Sequence, residues 1–167
     1  AEKEKLLANH GLKTRAIIER FGFNSRMDTL QAAVLNFHLD NLDNVIAKRR
    51  KNASIYYETL NNKYVFCNKP RDYSFDTFHT FVIQVNERDA LKIFLESKGV
   101  GTSIHYPIPI HLQPAASQLS LGMGSFPVAE DQAKKILTLP VNQFVSNEEI
   151  KMIAEQVNSF FVEHGHG

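Results

Sequence analysis

The 167 residues include a single cysteine, Cys67. No internal disulfide can form, and a lone thiol suits a reducing compartment. A surplus of either charge is missing too. The 19 Lys and Arg nearly cancel the 18 Asp and Glu, leaving a formal net charge of +1, whereas a dedicated nucleic-acid binder carries a strong basic excess. No apolar run approaches the roughly 20 residues of a membrane helix, and no signal-peptide pattern opens the sequence. A cytoplasmic protein that engages neither nucleic acid nor membrane is therefore expected. Internal repeats and low-complexity tracts are absent. So are Gly-x-Ser-x-Gly, a Walker A loop and Gly-x-Gly-x-x-Gly, and no paired carboxylates suggest glycoside hydrolysis.

What is present is an ordinary globular composition. Hydrophobic residues make up 43% and charged residues 22%, enough to bury a core. The length suits one domain, or a small domain with a piece of another. The sequence starts Ala1-Glu2-Lys3-Glu4-Lys5-Leu6-Leu7, without an initiator Met and already in a helical pattern, which leads us to expect a piece of a longer protein. The first helix ends near Gly11, and residues 12–26 hold a short helical stretch and then a loop from Phe21 to Arg26. Asp28, with Gln31 three residues on, caps a helix whose Leu30, Ala33, Val34 and Phe37 share one face. That pattern continues to about Leu60, too far for one helix, so a break is expected at residues 39–43.

Further along, residues 78–85 read as a strand, Asn86 as the cap of the next helix, Gly99 as its closing glycine and residues 100–104 as a second strand. Pro127 suits a first helical turn, and residues 138–141 read as extended. Ser146 and Glu149 form a capping box before a helix striped by Ile150, Ile153, Ala154, Val157 and Phe161. The order predicts an α+β fold with helices covering one face of a small sheet over residues 41–163. Residues 1–40 read as a helical piece of something else, and residues 164–167 as a loose tail.

Two constellations carry chemistry. In Gly22-Phe23-Asn24-Ser25-Arg26-Met27 an amide and a guanidinium stand two apart on a loop that opens a helix. Such a loop can aim both at one anion, with help from the helix N-terminus, and a phosphate is the natural guest. The plainer reading is that Asn24 shapes the turn and Arg26 pairs with a carboxylate. The second constellation is His105-Tyr106-Pro107-x-Pro109-x-His111-x-Gln113-Pro114. Its polar side chains can line a pocket, or the prolines can simply stiffen a connecting loop. Histidines six apart do not match a zinc spacing. Lys48-Arg49-Arg50-Lys51 reads as a solvated helix face, and His79 as a packed or hydrogen-bonded histidine.

In order, Asn9-His10-Gly11, Gly22 to Ala33, Arg49, Ala53 and Tyr57, Lys98 to Thr102, His105 to Pro114, Phe126-Pro127 with Glu130, and Leu139-Pro140 resemble the DegT/DnrJ/StrS family of sugar aminotransferases over nearly the whole chain. The resemblance implies a fold type I enzyme that uses pyridoxal 5'-phosphate (PLP), of which this chain would be the small C-terminal domain preceded by a helical remnant of the large one. It implies transfer of an amino group, with glutamate as donor, to a nucleotide-linked keto-sugar, within a homodimer. The Asn matching Asn24 reaches the neighbour's cofactor phosphate. The Arg matching Arg26 lies close by, meeting the phosphate or the sugar nucleotide. His105, Tyr106 and His111 fall in the segment bordering the substrate. The family's cofactor-carrying lysine stands upstream of its Asn-His-Gly, so the chain is expected to be inactive alone. The competing expectation is a non-catalytic module that binds a sugar nucleotide or pairs with a partner.

Overall fold

The computed structural model describes residues 1–163; the tail expected at 164–167 lies outside them. Two compact units divide the chain, Ala1–Asp43 and Asn44–Gly167.

The first unit holds helix α1 (Glu2–Ala8) and helix α2 (Thr29–Asp40). Asp28 caps α2 by accepting the Gln31 N–H at 2.8 Å, and the Gln31 side chain accepts the Asp28 N–H at 3.1 Å, as the spacing predicts. The helix closes at Asn41, inside the expected break. Residues 12–18 differ from expectation: they form no helix but a tight reversal, with an antiparallel bridge between Leu12 and Ile18. The Lys13 N–H donates to the Ile17 carbonyl at 2.9 Å. Ile17-Ile18 is a β-branched pair, which favours extended backbone over a helical turn.

The second unit is built from helix α3 (Leu42–Thr59), strand β1 (Phe66–Cys67), strand β2 (Phe81–Gln84), helix α4 (Arg88–Ser97), helix α5 (Pro127–Lys135), strand β3 (Ile136–Leu139) and helix α6 (Asn147–Glu163). The strands make an antiparallel sheet in the order β1-β2-β3. Phe81 pairs with Leu139 and Ile83 with Leu137, and all four side chains are buried. Alternation along a strand sends these residues to one face. There they form one core with Ala53 and Tyr56 of α3, Leu91 and Leu95 of α4, and the Ile150, Ile153, Val157 and Phe161 stripe of α6.

The closing of α4 is fully satisfied. Gly99 takes φ +77°, its N–H donates to Glu96 O at 3.0 Å, and the Val100 N–H donates to Leu95 O at 2.9 Å, the Schellman pattern. A Cβ on Gly99 would meet nothing within 4 Å, so the cost of Gly99→Ala is conformational alone. It should be about 1 kcal/mol, read as a lower urea midpoint at unchanged slope.

Four local expectations are corrected. Glu87 and not Asn86 precedes α4, without a side-chain cap bond. Residues 100–104 contribute only an isolated bridge, Ser103 to Thr138. The basic run is no solvated face. Lys48 Nζ donates to the side chains of Asn52 and Asn147 at 2.9 and 2.8 Å. Arg49 donates to the carbonyls of Phe78 and His79 at 3.2 and 3.0 Å, and Arg50 to Asp76 O at 2.7 Å. Residues 76–79, whose Phe78 sits at φ +50°, are held to α3 by these guanidinium groups. The His79 ring is exposed and not packed.

Candidate functional site

In the first unit, backbone pairing to the end of α1 fixes the loop that carries Asn24 and Arg26. The Phe23 N–H donates to Leu7 O at 2.7 Å, the His10 N–H to Phe23 O at 2.8 Å, and the Ser25 N–H to Ala8 O at 2.9 Å. Asn24 itself bridges Asn9. Two glycines permit this approach. A Cβ on Gly22 would lie 2.5 Å from the Gly11 nitrogen, and one on Gly11, at φ +75°, only 1.6 Å from Arg20 O. Gly11→Ala therefore meets both backbone strain and a backbone clash. We expect it to loosen this loop by about 2–3 kcal/mol, seen as faster amide exchange at His10 and Ser25 with unchanged exchange in the β2–β3 ladder.

The Asn24 and Arg26 side chains are exposed. Arg26 Nη2 donates to Asn9 Oδ1. That partner is an amide and not the carboxylate of the plainer reading, so this contact leaves the guanidinium charge uncompensated. The helix end contributes less than expected, because the Asp28 carboxylate already occupies the N-terminus of α2. An exposed amide and an exposed guanidinium on one loop are still a donor set that suits a phosphate.

In the second unit, β3 and α5 hold the two ends of the His105–His111 segment. The backbones of Ser103 and Thr138 exchange hydrogen bonds of 3.2 and 2.7 Å, and His105 Nδ1 shares one of 2.9 Å with the buried Thr138 hydroxyl. Tyr106 follows, 71% exposed, its ring edge-on to His105 at 5.4 Å. His111 sits in a 3₁₀ turn, Ile110–Leu112, with its imidazole buried and its Nε2 2.8 Å from Glu130 Oε1. The Glu130 carboxylate also accepts the N–H groups of Gly124 and Phe126. The Gly124 bond, with those of His111 and Phe126, holds its pKa below the ordinary carboxylate value against the opposing effect of burial.

Thus His105, Tyr106 and His111 border one open cleft of about 640 Å³, whose other lining residues include the apolar Leu121, Phe126 and Ala133. Asn24 and Arg26 share a loop in the other unit. Sequence reasoning singled out neither Thr138 nor Glu130 as a site residue. Thr138 reads only as a strand residue, and a lone Glu in a first helical turn reads as a charge on the helix dipole. Among the described residues no cluster of His, Cys, Asp and Glu suits a metal, and no helix is long and apolar enough to cross a membrane.

The family model for DegT/DnrJ/EryC1/StrS aminotransferases matches residues 1–158. The chain is 35% identical over 160 residues to the dTDP-3-amino-3,6-dideoxy-alpha-D-galactopyranose transaminase of Aneurinibacillus thermoaerophilus, covering 96% of this chain and 44% of that protein. It is 40% identical over 149 residues to the erythromycin biosynthesis sensory transduction protein EryC1 of Saccharopolyspora erythraea, covering 89% and 41%. Among solved structures it resembles S. venezuelae DesV in complex with ketimine intermediate, with TM-score 0.89 and 30% identity over 95% of this chain and 43% of that one. The chain thus spans less than half the length of these relatives.

Proposed function

This chain belongs to the DegT/DnrJ/EryC1/StrS aminotransferase family, and we propose that it is the carboxy-terminal part of a PLP-dependent enzyme that moves an amino group from glutamate onto a nucleotide-linked keto-sugar. Its fold is that of the small α+β part of a fold type I transferase, preceded by a helical segment. The single observation that carries the reading is its likeness, over nearly all its length, to a protein solved with a ketimine intermediate. We assign residues 1–40 to the large cofactor-binding domain and 41–163 to the small one, in a cytoplasmic homodimer. The exposed Leu30, Phe37 and Leu39 of α2 are the apolar surface such an assembly would cover.

When bound, PLP supplies the electron sink for amino transfer. The residues of this chain serve it and the sugar nucleotide by position and charge. Asn24 would donate its amide N–H to the cofactor phosphate of the neighbouring subunit, and Arg26 would add a guanidinium to the same anion or to the sugar nucleotide. His105, Tyr106 and His111 border the sugar-nucleotide pocket. The lysine that carries the cofactor belongs to the remainder of the enzyme.

Asn24→Ala in the longer enzyme should weaken PLP retention by about 1–3 kcal/mol, the cost of losing a hydrogen bond to a charged group. Equilibrium dialysis measures this. Mixing the variant with one that lacks the carrier lysine should restore part of the activity, because one site per hybrid dimer draws intact parts from both subunits. Persistent inactivity under conditions that exchange subunits would rule out the shared site.

A further inference from the structure

We propose that Glu130 is a positioning residue for the substrate-facing segment, acting through His111 and touching no ligand itself; this rests on the reading that residues 105–111 border the sugar-nucleotide pocket. The Glu130 side chain is only 8% exposed, yet its carboxylate is fully engaged. His111 Nε2 lies 2.8 Å from Oε1. The Gly124 N–H reaches both oxygens at 2.9 Å, and the Phe126 N–H reaches Oε1 at 3.1 Å. A buried carboxylate that accepts several N–H groups remains an anion and fixes its donors. Two of those donors merely close the turn before α5. The third is a ring that borders the cleft and lies edge-on to Phe126 at 4.9 Å, so the same carboxylate ties a cleft wall to the turn.

The other end of the segment has its own anchor, the 2.9 Å bond between His105 and Thr138. Between the anchors, Pro107 and Pro109 fix two φ angles. The span from His105 to His111 is therefore pinned at both ends and stiffened between them, and it presents Tyr106 outward. Glu130 thereby sets the place of a ring in the cleft wall and keeps a proton on its Nε2. Removing it strands three donors and frees one end of the span.

Hydrogen exchange on the chain itself reads the pinning. Gly124 is exposed, so its amide relies on this bond for protection. In Glu130→Ala the Gly124 and Phe126 amides should exchange at least about tenfold faster, and so should those of Leu112 and Gln113, which close the 3₁₀ turn carrying His111, with the β2–β3 ladder unchanged. Glu130→Gln keeps the volume and one acceptor oxygen; should the alanine variant fail to fold, it carries the test with a smaller rise at the same amides. In the longer enzyme Glu130→Gln should raise KM for the sugar nucleotide about tenfold while kcat changes less than about threefold. His111→Phe, which keeps a ring and loses the N–H, should reproduce that split. Mere loss of folded protein lowers the apparent kcat and leaves KM alone. Unchanged exchange at Leu112 and Gln113, or a fall in kcat at constant KM, overturns the proposal. An enzyme without transaminase activity would remove the functional reading only, because exchange is measured without cofactor or substrate and still decides whether Glu130 pins the segment.

Discussion

Tyr56→Ala should destabilise the second unit by about 3–5 kcal/mol, the usual range for truncating a large buried aromatic. Tyr56 is 0% exposed. Its ring stacks on Phe81 with centroids 4.7 Å apart, and its hydroxyl donates to Pro140 O at 2.7 Å. Burial pushes the phenol pKa well above its ordinary value, so the hydroxyl stays a donor throughout the working range. Truncation leaves a void against β2 and strands the carbonyl that follows β3. A domain of this size is stable by only about 5–15 kcal/mol, so the loss removes a large share of it. Tyr56→Phe is the control: it keeps the ring and should cost about 1 kcal/mol. Urea unfolding followed by circular dichroism separates the two. A cost for Tyr56→Ala no greater than that of Tyr56→Phe would mean the ring is not part of the core.

The effect reaches the cleft through β3. Thr138, one pair from the end of that strand, holds His105, and Pro140 comes two residues later. A loosened β3 end is therefore expected to loosen the His105 anchor before it disturbs the distant turn at Gly124.

Signals that are local in the chain were readable in the sequence. The boxes at Asp28 with Gln31 and at Ser146 with Glu149 form with short bonds, because each requires only four consecutive residues. Gly99 closes α4 for the same reason. The stripe on α6 stands where the periodicity places it; β2 forms inside the expected 78–85 but only over Phe81–Gln84, because Phe78 at φ +50° leaves the extended region. Signals that depend on a distant partner were not readable. The two residues of β1 are a strand only because Gln84 and Ile83 lie opposite Phe66 and Cys67. Residues 100–104 lack such a partner beyond Thr138. Arg49 and Arg50 look solvated until carbonyls from residues 76–79 arrive, and nothing local to Glu130 connects it with His111, nineteen positions earlier.

The same division holds for the candidate site. Asn24 and Arg26 are legible as a pair because they are two apart, and His105, Tyr106 and His111 because prolines mark their loop. The groups that hold them, Asn9, Thr138 and Glu130, are remote in sequence and have ordinary side chains. Spacing alone could not connect them.

The 167-residue chain by itself is expected to show no transaminase turnover. A carrier lysine must present a neutral amine to the cofactor aldehyde within a site that excludes water. Six of the twelve lysines are otherwise engaged. Lys13, Lys92 and Lys135 pair with Glu19, Glu96 and Asp131, Lys48 serves Asn52 and Asn147, and Lys63 and Lys98 lie over aromatic rings. None of the twelve is among the residues bordering the His105–His111 cleft. The decisive measurement is borohydride reduction of the longer enzyme with PLP, followed by digestion and mapping of the pyridoxyl label. One stoichiometric site is expected at a lysine outside residues 1–167, and only scattered, sub-stoichiometric label on the chain alone. Stoichiometric label at a single lysine of this chain, with amino transfer from glutamate to a keto-sugar nucleotide, would contradict it.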